Sequence, residues 1–387
     1  MAERQRALAG LKVLDLATLL AGPFAGSILG EHGADVVKVE QPGVGDPLRR
    51  LGTASPTGDT YWWFTDTRNK QMIEVDLRTD EGVGEIKALV AEADVVIENF
   101  RTGTMARWGL GYDDLVVVNS GLVQLSVTGY GQTGPLANTA GVARIAEAFT
   151  GMTHLTGQPD GPPGLGGSSA LADYICGLYG ALGVMLAISA RHETGRGQQI
   201  DMALYDGVAR FLDELVPVYT HTGQGRERMG SETNRSVPHN NYEAADGRWV
   251  TIACTNDPLF ARLAGVMERP EFLDDDRYAT SAARIARRHE VNGIVADWVA
   301  KHDAAEVVAL CARATVPCGV VNTVAEYVAH PQVEARHSTV TIDVPGLGEL
   351  TVPGVVPALS DTPGRVDRLG GVQNETSAAA IVARWQK

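Results

Sequence analysis

The stretch KVLDLATLLAGPFAGSILGEHGADVVKVE, residues Lys12–Glu40, alternates apolar runs typical of buried strands with one helical segment. Lys12–Ala17 and Ala34–Glu40 are strand candidates rich in Val and Leu, and a helix is predicted to begin at the Gly22-Pro23 step between them. Two strands joined by a helix predict parallel pairing, because strands that run the same way need a long crossover connection. The stretch therefore predicts the beginning of an α/β domain.

The same alternation continues over about the first two hundred residues. Further strands are predicted at Gln71–Asp76, Ala93–Glu98, Leu122–Val127 and Gln198–Ala203, and further helices at Asp80–Ala91, from near Ser169, and at Tyr205–Thr220. Nearly continuous Val, Ile and Leu strands separated by helices imply a parallel sheet that is covered on both faces. We therefore expect an α/β fold with a large Rossmann-like parallel-sheet domain.

A second, smaller domain follows a change in composition at His221–Val237, a polar stretch rich in Gly and Arg. Asp246-Gly247 lies between two runs with strand character and predicts a hairpin. Helices are then predicted at Pro258–Met267, Ser281–Lys301 and Ala304–Ala314. We expect four segments: residues 1–220 as the large α/β domain, 221–237 as a linker or active-site loop, 238–315 as a small α+β domain, and 316–387 as a return to the large domain.

Composition and charge exclude several classes of protein. The formal net charge of −14 and the lack of a basic stripe argue against a nucleic-acid partner. The longest apolar run, Gly177–Ala190, is too short to cross a membrane, and the N-terminal residues show no secretory apolar region. Cys176, Cys254, Cys311 and Cys318 form no CxxC pair, so we expect no zinc site, no disulfide framework and a cytoplasmic location.

Asp173 is the only charged residue between Gly161 and Ala190. The glycine-rich approach and a serine N-cap, Ser168 or Ser169, predict that Asp173 lies within the first one or two turns of a helix. Ionised groups avoid apolar surroundings unless they are paired or used in chemistry, whereas the N–H groups at a helix start favour an anion. Asp173 is therefore a candidate catalytic residue, and a purely structural helix-start carboxylate is the alternative.

The motifs of common enzyme classes are absent from the sequence. It has no GxxxxGK[ST], no HExxH and no GxSxG, and Leu20-Ala21-Gly22-Pro23-Phe24 occupies the first strand–helix turn in place of GxGxxG. We therefore expect no metal and no nicotinamide or ATP chemistry. A non-catalytic nucleotide-binding or scaffold protein remains an alternative at this point.

Seven sequence blocks together resemble the class III CoA-transferases, which include formyl-CoA, carnitine-CoA and dicarboxylate CoA transferases and are related to the 2-methylacyl-CoA racemases. The blocks are LDL at 14–16, AGPF at 21–24, GADVVKVE at 33–40, NK at 69–70, DVVIENFR at 94–101, GYGQTGP at 129–135 and TGRGQ at 194–198. They occur in order across about the first 210 residues, and the resemblance continues weakly to the end of the chain.

The resemblance implies a covalent mechanism in which Asp173, in an Asp-x-x-x-Gly context that ends at Gly177, is the nucleophile. Its carboxylate would form first an acyl–aspartyl anhydride and then an aspartyl-CoA thioester. Coenzyme A is then a substrate, as acyl-CoA, and no cofactor is tightly bound. The resemblance also implies a homodimer of interlocked chains and a large domain that binds CoA.

The resemblance further assigns residues to the binding of CoA and of the acid. The CoA residues that it implies are Leu19, Leu20, Ala21, Val75, Arg78, Asn99, Phe100, Arg101, Thr104 and Arg107. Arg144 lies in a segment that the family folds near the nucleophile, and such a cation can hold a distal carboxylate. An arginine on the outer face of the Ala143–Phe149 helix is the alternative for Arg144. Val142 is a further candidate for the acid site, and His239 and Asn240 are candidate donors from the small domain.

The position of Val142 separates this chain from the racemases. The racemases carry a His directly after the Ala-Gly that is Ala140-Gly141 here, and a racemase needs a second proton-transfer group. We therefore predict a CoA-transferase acting on small dicarboxylates of the succinyl, mesaconyl, malyl or itaconyl type. A 2-methylacyl-CoA racemase or epimerase is the alternative within the same superfamily.

Overall fold

The structure is a computed structural model that describes residues 5–168 and 170–387. The chain forms two compact units. The described residues of Met1–Thr153, Leu165–Gly225 and Gln332–Lys387 make the first unit, and His154–Gly164 with Arg226–Pro331 make the second. The division into four segments at residues 220, 237 and 315 stays a prediction.

Strands and helices alternate along the chain as far as Thr222. They are β1 (Lys12–Asp15), α1 (Ala21–Glu31), β2 (Asp35–Glu40), α2 (Tyr61–Asp66), β3 (Lys70–Glu74), α3 (Asp80–Val90), β4 (Val95–Glu98), α4 (Thr104–Arg107), α5 (Tyr112–Val116), β5 (Val123–Thr128), α6 (Ala143–Phe149), α7 (Met152–Leu155), α8 (Leu171–Thr194), β6 (Gln199–Ala203), α9 (Leu204–Ala209) and α10 (Leu215–Thr222).

The remaining elements follow in chain order. They are β7 (His239–Glu243), β8 (Trp249–Ala253), α11 (Asp257–Val266), α12 (Ser281–Ala286), α13 (Arg288–Val299), α14 (Ala304–Arg313), β9 (Cys318–Val320), α15 (Val324–Val328), α16 (Pro331–Ala335), β10 (Thr339–Val344), β11 (Gly348–Pro353) and α17 (Ala378–Trp385). Two 3₁₀ turns, Pro47–Arg49 and Pro270–Leu273, complete the described elements.

The first unit is built on a six-stranded parallel sheet in the order β3-β2-β1-β4-β5-β6. Successive side chains of a strand lie on opposite faces of the sheet. Val13 belongs to a core with α1 and α8, whereas Leu14 belongs to a core with α3 and α17. Both faces of the sheet are thus covered by helices, as parallel sheets require. The predicted α/β fold with a Rossmann-like parallel sheet is confirmed.

The second unit contains a three-stranded antiparallel sheet in the order β7-β8-β9. The predicted hairpin is confirmed, since β7 and β8 pair in antiparallel register around a connection in which Gly247 has a φ of 77°. Strand β9 pairs with β8 inside this unit. The later hairpin of β10 and β11 belongs to the first unit.

Two long predicted helices are wrong, because each is divided in the structure. The helix predicted over Tyr205–Thr220 is interrupted between α9 and α10, where Asp213 has a left-handed φ of 50°. The break places Pro217 in the first turn of α10, where a missing backbone N–H does no harm. The helix predicted over Ser281–Lys301 is divided at Arg287 into α12 and α13.

Helix α8 is the long apolar helix that carries Asp173. It is long and apolar enough, by length and composition alone, to cross a membrane, but half of its most apolar window is buried in the structure, as in the core helix of a folded unit. Asp173 lies in its first turn, as predicted. The N-cap is Ala170 and makes no side-chain bond, so Ser168 is not the N-cap, and Ser169 lies outside the described residues.

Candidate active site

The order of the strands determines where a ligand site can form. Strand β1 pairs with β2 on one side and with β4 on the other, so the connections from these strands diverge at their carboxyl ends. In open α/β sheets, ligands bind in the crevice at such a point. Here the side chain of Asn99, just after β4, accepts a hydrogen bond from Thr18 N at 2.8 Å and donates one to Thr18 O at 2.6 Å. The loop after β1 is thereby tied to the end of β4.

The loop after β1 is also held from the side of β2 by a buried ion pair. Asp46 Oδ1 accepts a hydrogen bond from Leu19 N at 3.1 Å, and Asp46 Oδ2 lies 2.8 Å from Lys38 Nζ. Lys38 Nζ also donates to Ala17 O at 2.6 Å. Leu19 has a left-handed φ of 62°, a costly conformation for this residue that persists only when its surroundings enforce it.

A close approach between helices brings Asp173 to this loop. Helix α8 packs against α1, and a Cβ atom added at Gly177 would lie 2.7 Å from the carbonyl oxygen of Ala21. Only glycine permits that separation. The requirement for Gly177, one turn after Asp173, thus has a physical explanation: a side chain there would push the nucleophile candidate away from the start of α1.

Asp173 lines a cavity of about 380 Å³ at the carboxyl edge of the sheet. Its walls come from the loop after β1, the end of β5, and the starts of α6, α8 and α9. The lining residues are Thr18, Leu19, Leu20, Ala21, Leu51, Trp62, Asn99, Val127, Thr128, Gly129, Gly141, Val142, Ala143, Arg144, Ala170, Asp173 and Leu204. The cavity is therefore mostly apolar, with one carboxylate and one guanidinium.

The environment of Asp173 alters its protonation. Its side chain is half-buried, and burial together with the neighbouring Glu147 carboxylate raises the pKa of Asp173 to about 7. Next to it, Tyr174 donates a hydrogen bond to Asp66 Oδ2 at 2.7 Å and accepts one from Trp62 Nε1 at 2.8 Å. These two hydrogen bonds fix the indole of Trp62, which lines the cavity.

The arrangement supplies a nucleophile and a place for an oxyanion. A carboxylate of raised pKa is a stronger nucleophile than an ordinary aspartate once it is ionised. Ala21 also lines the cavity and begins α1, and the first N–H groups of a helix have no partner within it. Such N–H groups stabilise negative charge that develops on a reacting carbonyl oxygen.

A second cavity, of about 180 Å³, adjoins the same loop and shares Thr18 with the first. Val75, Arg78 and Phe100 line it, and the ring of Phe100 meets Trp108 edge-on with centroids 5.0 Å apart. Arg78 lies exposed at its border and forms a two-point ion pair with Asp76 at 2.8 Å. The result is a mostly apolar slot whose lining also includes Arg78 and the acidic residues Glu40, Asp46 and Asp76.

The other predicted residues lie elsewhere in the structure. Arg101 lines a third, polar cavity that contains Glu98, whose pKa burial raises to about 7. Thr104 and Arg107 bond to each other at 2.8 Å on the exposed helix α4 and line none of these three cavities.

Two of the predicted acid-binding residues belong to β7 in the second unit. His239 Nδ1 lies 3.1 Å from the hydroxyl oxygen of Ser236. The side-chain oxygen of Asn240 accepts hydrogen bonds from the hydroxyl of Ser231 and from Asn241 N.

Sequence reasoning missed several wall residues and one buried acid. Trp62, Thr128 and Leu204 line the Asp173 cavity although no motif marked them. Glu147 is 2% exposed and accepts a hydrogen bond from Ala172 N at 3.3 Å. A glutamate facing the apolar side of a short helix was the available signal for Glu147, because such residues are rarely buried without a purpose.

Among residues 5–168 and 170–387, no group of three or more His, Cys, Asp or Glu side chains is arranged to hold a metal ion. The carboxylate that lines the cavity is that of Asp173.

Comparison with known proteins identifies a family over nearly the whole chain. The sequence model described as CoA-transferase family III matches residues 8–370. The chain is 48% identical over 365 residues to a succinyl-CoA–L-malate CoA-transferase beta subunit of Chloroflexus aurantiacus, covering 94% of this chain and 90% of that one. It is 37% identical to a succinate–glutarate CoA-transferase of Agrobacterium fabrum, covering 95% and 93%.

A solved structure agrees with these sequence matches. The fold superposes on a CAIB/BAIF family protein from Brucella suis with a TM-score of 0.85 and 36% sequence identity. The match covers 99% of this chain and all of that one. Fold and sequence comparisons therefore point to the same family.

Proposed function

Because the chain belongs to CoA-transferase family III and is a CoA-transferase, we propose that it moves CoA between two small dicarboxylates through covalent intermediates on Asp173. The observation that carries the proposal is the half-buried Asp173 carboxylate in an apolar cavity that adjoins an apolar slot with a cation at its edge. The relatives named for succinyl-CoA, malate and glutarate support the choice of acids.

The chemistry proceeds through two kinds of intermediate. The Asp173 carboxylate attacks the thioester carbonyl of the donor and expels CoA thiolate, which leaves an acyl–aspartyl anhydride. The thiolate then attacks the aspartyl carbonyl, releasing the first acid and forming an aspartyl-CoA thioester. The incoming acid reverses these steps and departs as the new acyl-CoA, with Asp173 restored as a carboxylate.

The cavity suits these intermediates in two respects. Ala21, the first residue of α1, lines the same cavity as Asp173, and N–H groups at a helix start can stabilise each tetrahedral oxyanion. Buried apolar walls such as Leu20 and Leu204 limit the access of water, which would otherwise hydrolyse an anhydride. Val142 has no titratable group, so this position does not support proton exchange by the racemase alternative.

The slot beside the first cavity suits the nucleotide end of CoA. Val75 and Phe100 offer apolar surface for an adenine, and Arg78 at the border offers a cation for a phosphate. Leu19, Leu20, Ala21 and Asn99 line the Asp173 cavity and would adjoin the thiol end. Arg101, Thr104 and Arg107 remain candidates for CoA phosphates, and His239 and Asn240 remain candidates for the acid.

We further propose that the enzyme is a cytoplasmic homodimer. Leu178, Leu182 and Leu186 recur at every fourth position of α8 and are half or more exposed, as an apolar stripe that needs a partner would be. Val216 and Tyr219 on α10 add exposed apolar surface to the same unit. A second copy of this chain would cover these side chains.

Trapping the intermediate tests the proposal directly. After incubation with succinyl-CoA, hydroxylamine should convert Asp173 to its hydroxamate, and borohydride should reduce it to an alcohol, because both reagents attack an activated carboxyl carbon. Mass spectrometry of the digested protein should find the modification on the peptide that contains Asp173, and only when acyl-CoA was present. Modification of a different carboxylate would overturn the assignment.

Replacing Arg78 tests the nucleotide slot. Arg78→Ala should raise KM for acyl-CoA by about two- to fivefold with little change in kcat, because the variant loses a charge-assisted bond to a phosphate and such bonds contribute modestly when they are exposed to solvent. Arg277 is a matched control, because it forms the same two-point ion pair with Asp275 in the second unit. Arg277→Ala should leave KM unchanged, and an equal effect of both variants would remove Arg78 from the site.

A further inference from the structure

Glu147 is a buried carboxylate next to the proposed nucleophile to which the mechanism so far assigns no role. It lies on α6, whose first residues Ala143 and Arg144 line the Asp173 cavity, and α6 packs against α8. The side chain of Glu147 is 2% exposed. Among the ion pairs of the described residues, none includes Glu147, so no cation offsets its charge.

Within the part of the chain that the structure describes, the hydrogen bond of the Glu147 side chain is directed at the helix that carries Asp173. Its Oε1 accepts from the N–H of Ala172, which belongs to the first turn of α8 and precedes Asp173. The residue in the N-cap position, Ala170, offers no side-chain acceptor. Glu147 therefore supplies from another helix the cap that the local sequence of α8 lacks.

We propose that Glu147 is a positioning residue that holds the first turn of α8 and places a second negative charge beside Asp173. This charge disfavours the free carboxylate of Asp173 relative to its acylated form. The inference rests on the proposed role of Asp173 as nucleophile. Acylation converts Asp173 from an anion to an uncharged anhydride or thioester, which removes the repulsion from Glu147. The second carboxylate therefore favours formation of both covalent intermediates.

Other titratable groups surround Asp173 and must be distinguished from Glu147. The charged and titratable groups on neighbouring elements are Arg144 on α6, Asp66 on α2, Asp206 on α9, and Tyr174 and Cys176 on α8. Burial raises the pKa of Tyr174 and of Cys176, so both remain protonated near neutral pH. Asp66 accepts a hydrogen bond from Tyr174. Burial is the larger cause of the raised pKa of Asp173, and Glu147 is the carboxylate whose charge adds to it.

The pH dependence of Glu147→Gln tests the inference. Glutamine keeps an oxygen that can accept from Ala172 N but loses the charge, so the acid limb of the kcat/KM profile should move down by about one pH unit from its position near 7. Above that limb, kcat should fall by about two- to fivefold, because a weaker base is a weaker nucleophile. KM for acyl-CoA should change little, since Glu147 does not line the cavity.

Two further variants make the outcome decisive. Glu147→Asp keeps the charge. The acid limb of this variant should therefore move less than the acid limb of Glu147→Gln, even if kcat falls. Glu31→Gln is the matched control, because burial also raises the pKa of Glu31 to about 7 although it lies at the far end of α1. Glu31→Gln should leave the acid limb in place.

The result that overturns the inference is specific to Glu147. If Glu147→Gln leaves the acid limb unmoved, or if Glu147→Asp moves it as far as Glu147→Gln does, Glu147 only caps α8 and its charge plays no part. That result would leave the role of Asp173 intact. The proposed function itself fails instead if no covalent intermediate is trapped on Asp173.

Discussion

Asp173→Asn should reduce kcat/KM for CoA transfer by about 10⁴-fold or more, the scale of loss seen when a covalent nucleophile is removed. Asparagine has nearly the same shape and still fits the half-buried position at the start of α8. It lacks the second oxygen and the charge that attack the thioester, so no anhydride can form. Initial rates with succinyl-CoA and a panel of dicarboxylates would measure the loss.

Two controls separate a lost nucleophile from a damaged fold. Asp276→Asn changes an exposed aspartate of the second unit and should keep full activity. Asp173→Asn should still bind CoA with nearly normal affinity, because the nucleotide slot of Val75, Arg78 and Phe100 is untouched. Turnover at the unmodified rate in Asp173→Asn would remove the covalent mechanism altogether.

Arg144→Ala should lower kcat/KM for dicarboxylic substrates by about 10- to 150-fold while affecting monocarboxylic substrates much less. Arg144 lines the Asp173 cavity, where its guanidinium can pair with the distal carboxylate of a bound acid. Such a charge-assisted pair contributes about 1.5–3 kcal/mol, and each 1.36 kcal/mol corresponds to a tenfold change in rate. The ratio of the two kcat/KM values, measured for each variant, isolates this contribution.

Arg144→Lys refines the comparison. Lysine keeps the positive charge but lacks the planar set of donors with which arginine holds a carboxylate at two points. The preference of Arg144→Lys for dicarboxylates should therefore fall between the preferences of the unmodified enzyme and of Arg144→Ala. Damage to folding or to CoA binding would depress both substrate classes equally. Arg144 is exposed in the structure, so an unchanged preference in Arg144→Ala would mean that its guanidinium does not contact the bound acid and would leave the choice of dicarboxylates resting on the relatives alone.

The sequence predicted the elements whose residues face a continuous core. Strands β1, β2, β4 and β5 are rich in branched apolar residues, and this composition does not depend on distant parts of the chain. Asp173 was singled out for a similar reason, because a lone charge in an apolar helix is unusual wherever the helix packs.

What the sequence could not predict depends on contacts between distant segments. The breaks that divide Tyr205–Thr220 and Ser281–Lys301 follow from tertiary packing that overrides local helical pattern. Glu147 lies 26 positions before Asp173, and only the packing of α6 on α8 makes it the cap of that helix. The left-handed backbone of Leu19 likewise depends on Asp46 and Lys38. Lys38 Nζ lies 2.8 Å from Asp46 Oδ2, and no local sequence pattern predicts this ion pair.

The half-buried carboxylate at the start of α8 also has a consequence for thermal stability. The pKa of Asp173 is raised from 3.8 to about 7 by folding, so its contribution to stability is fully present below pH 4 and is lost as the pH rises to about 7. At neutral pH and above, this group therefore opposes folding by an amount on the order of a few kcal/mol. At pH 8 the Asp173→Asn variant should therefore melt at a higher temperature than the unmodified protein, because asparagine has no charge that folding must remove from water.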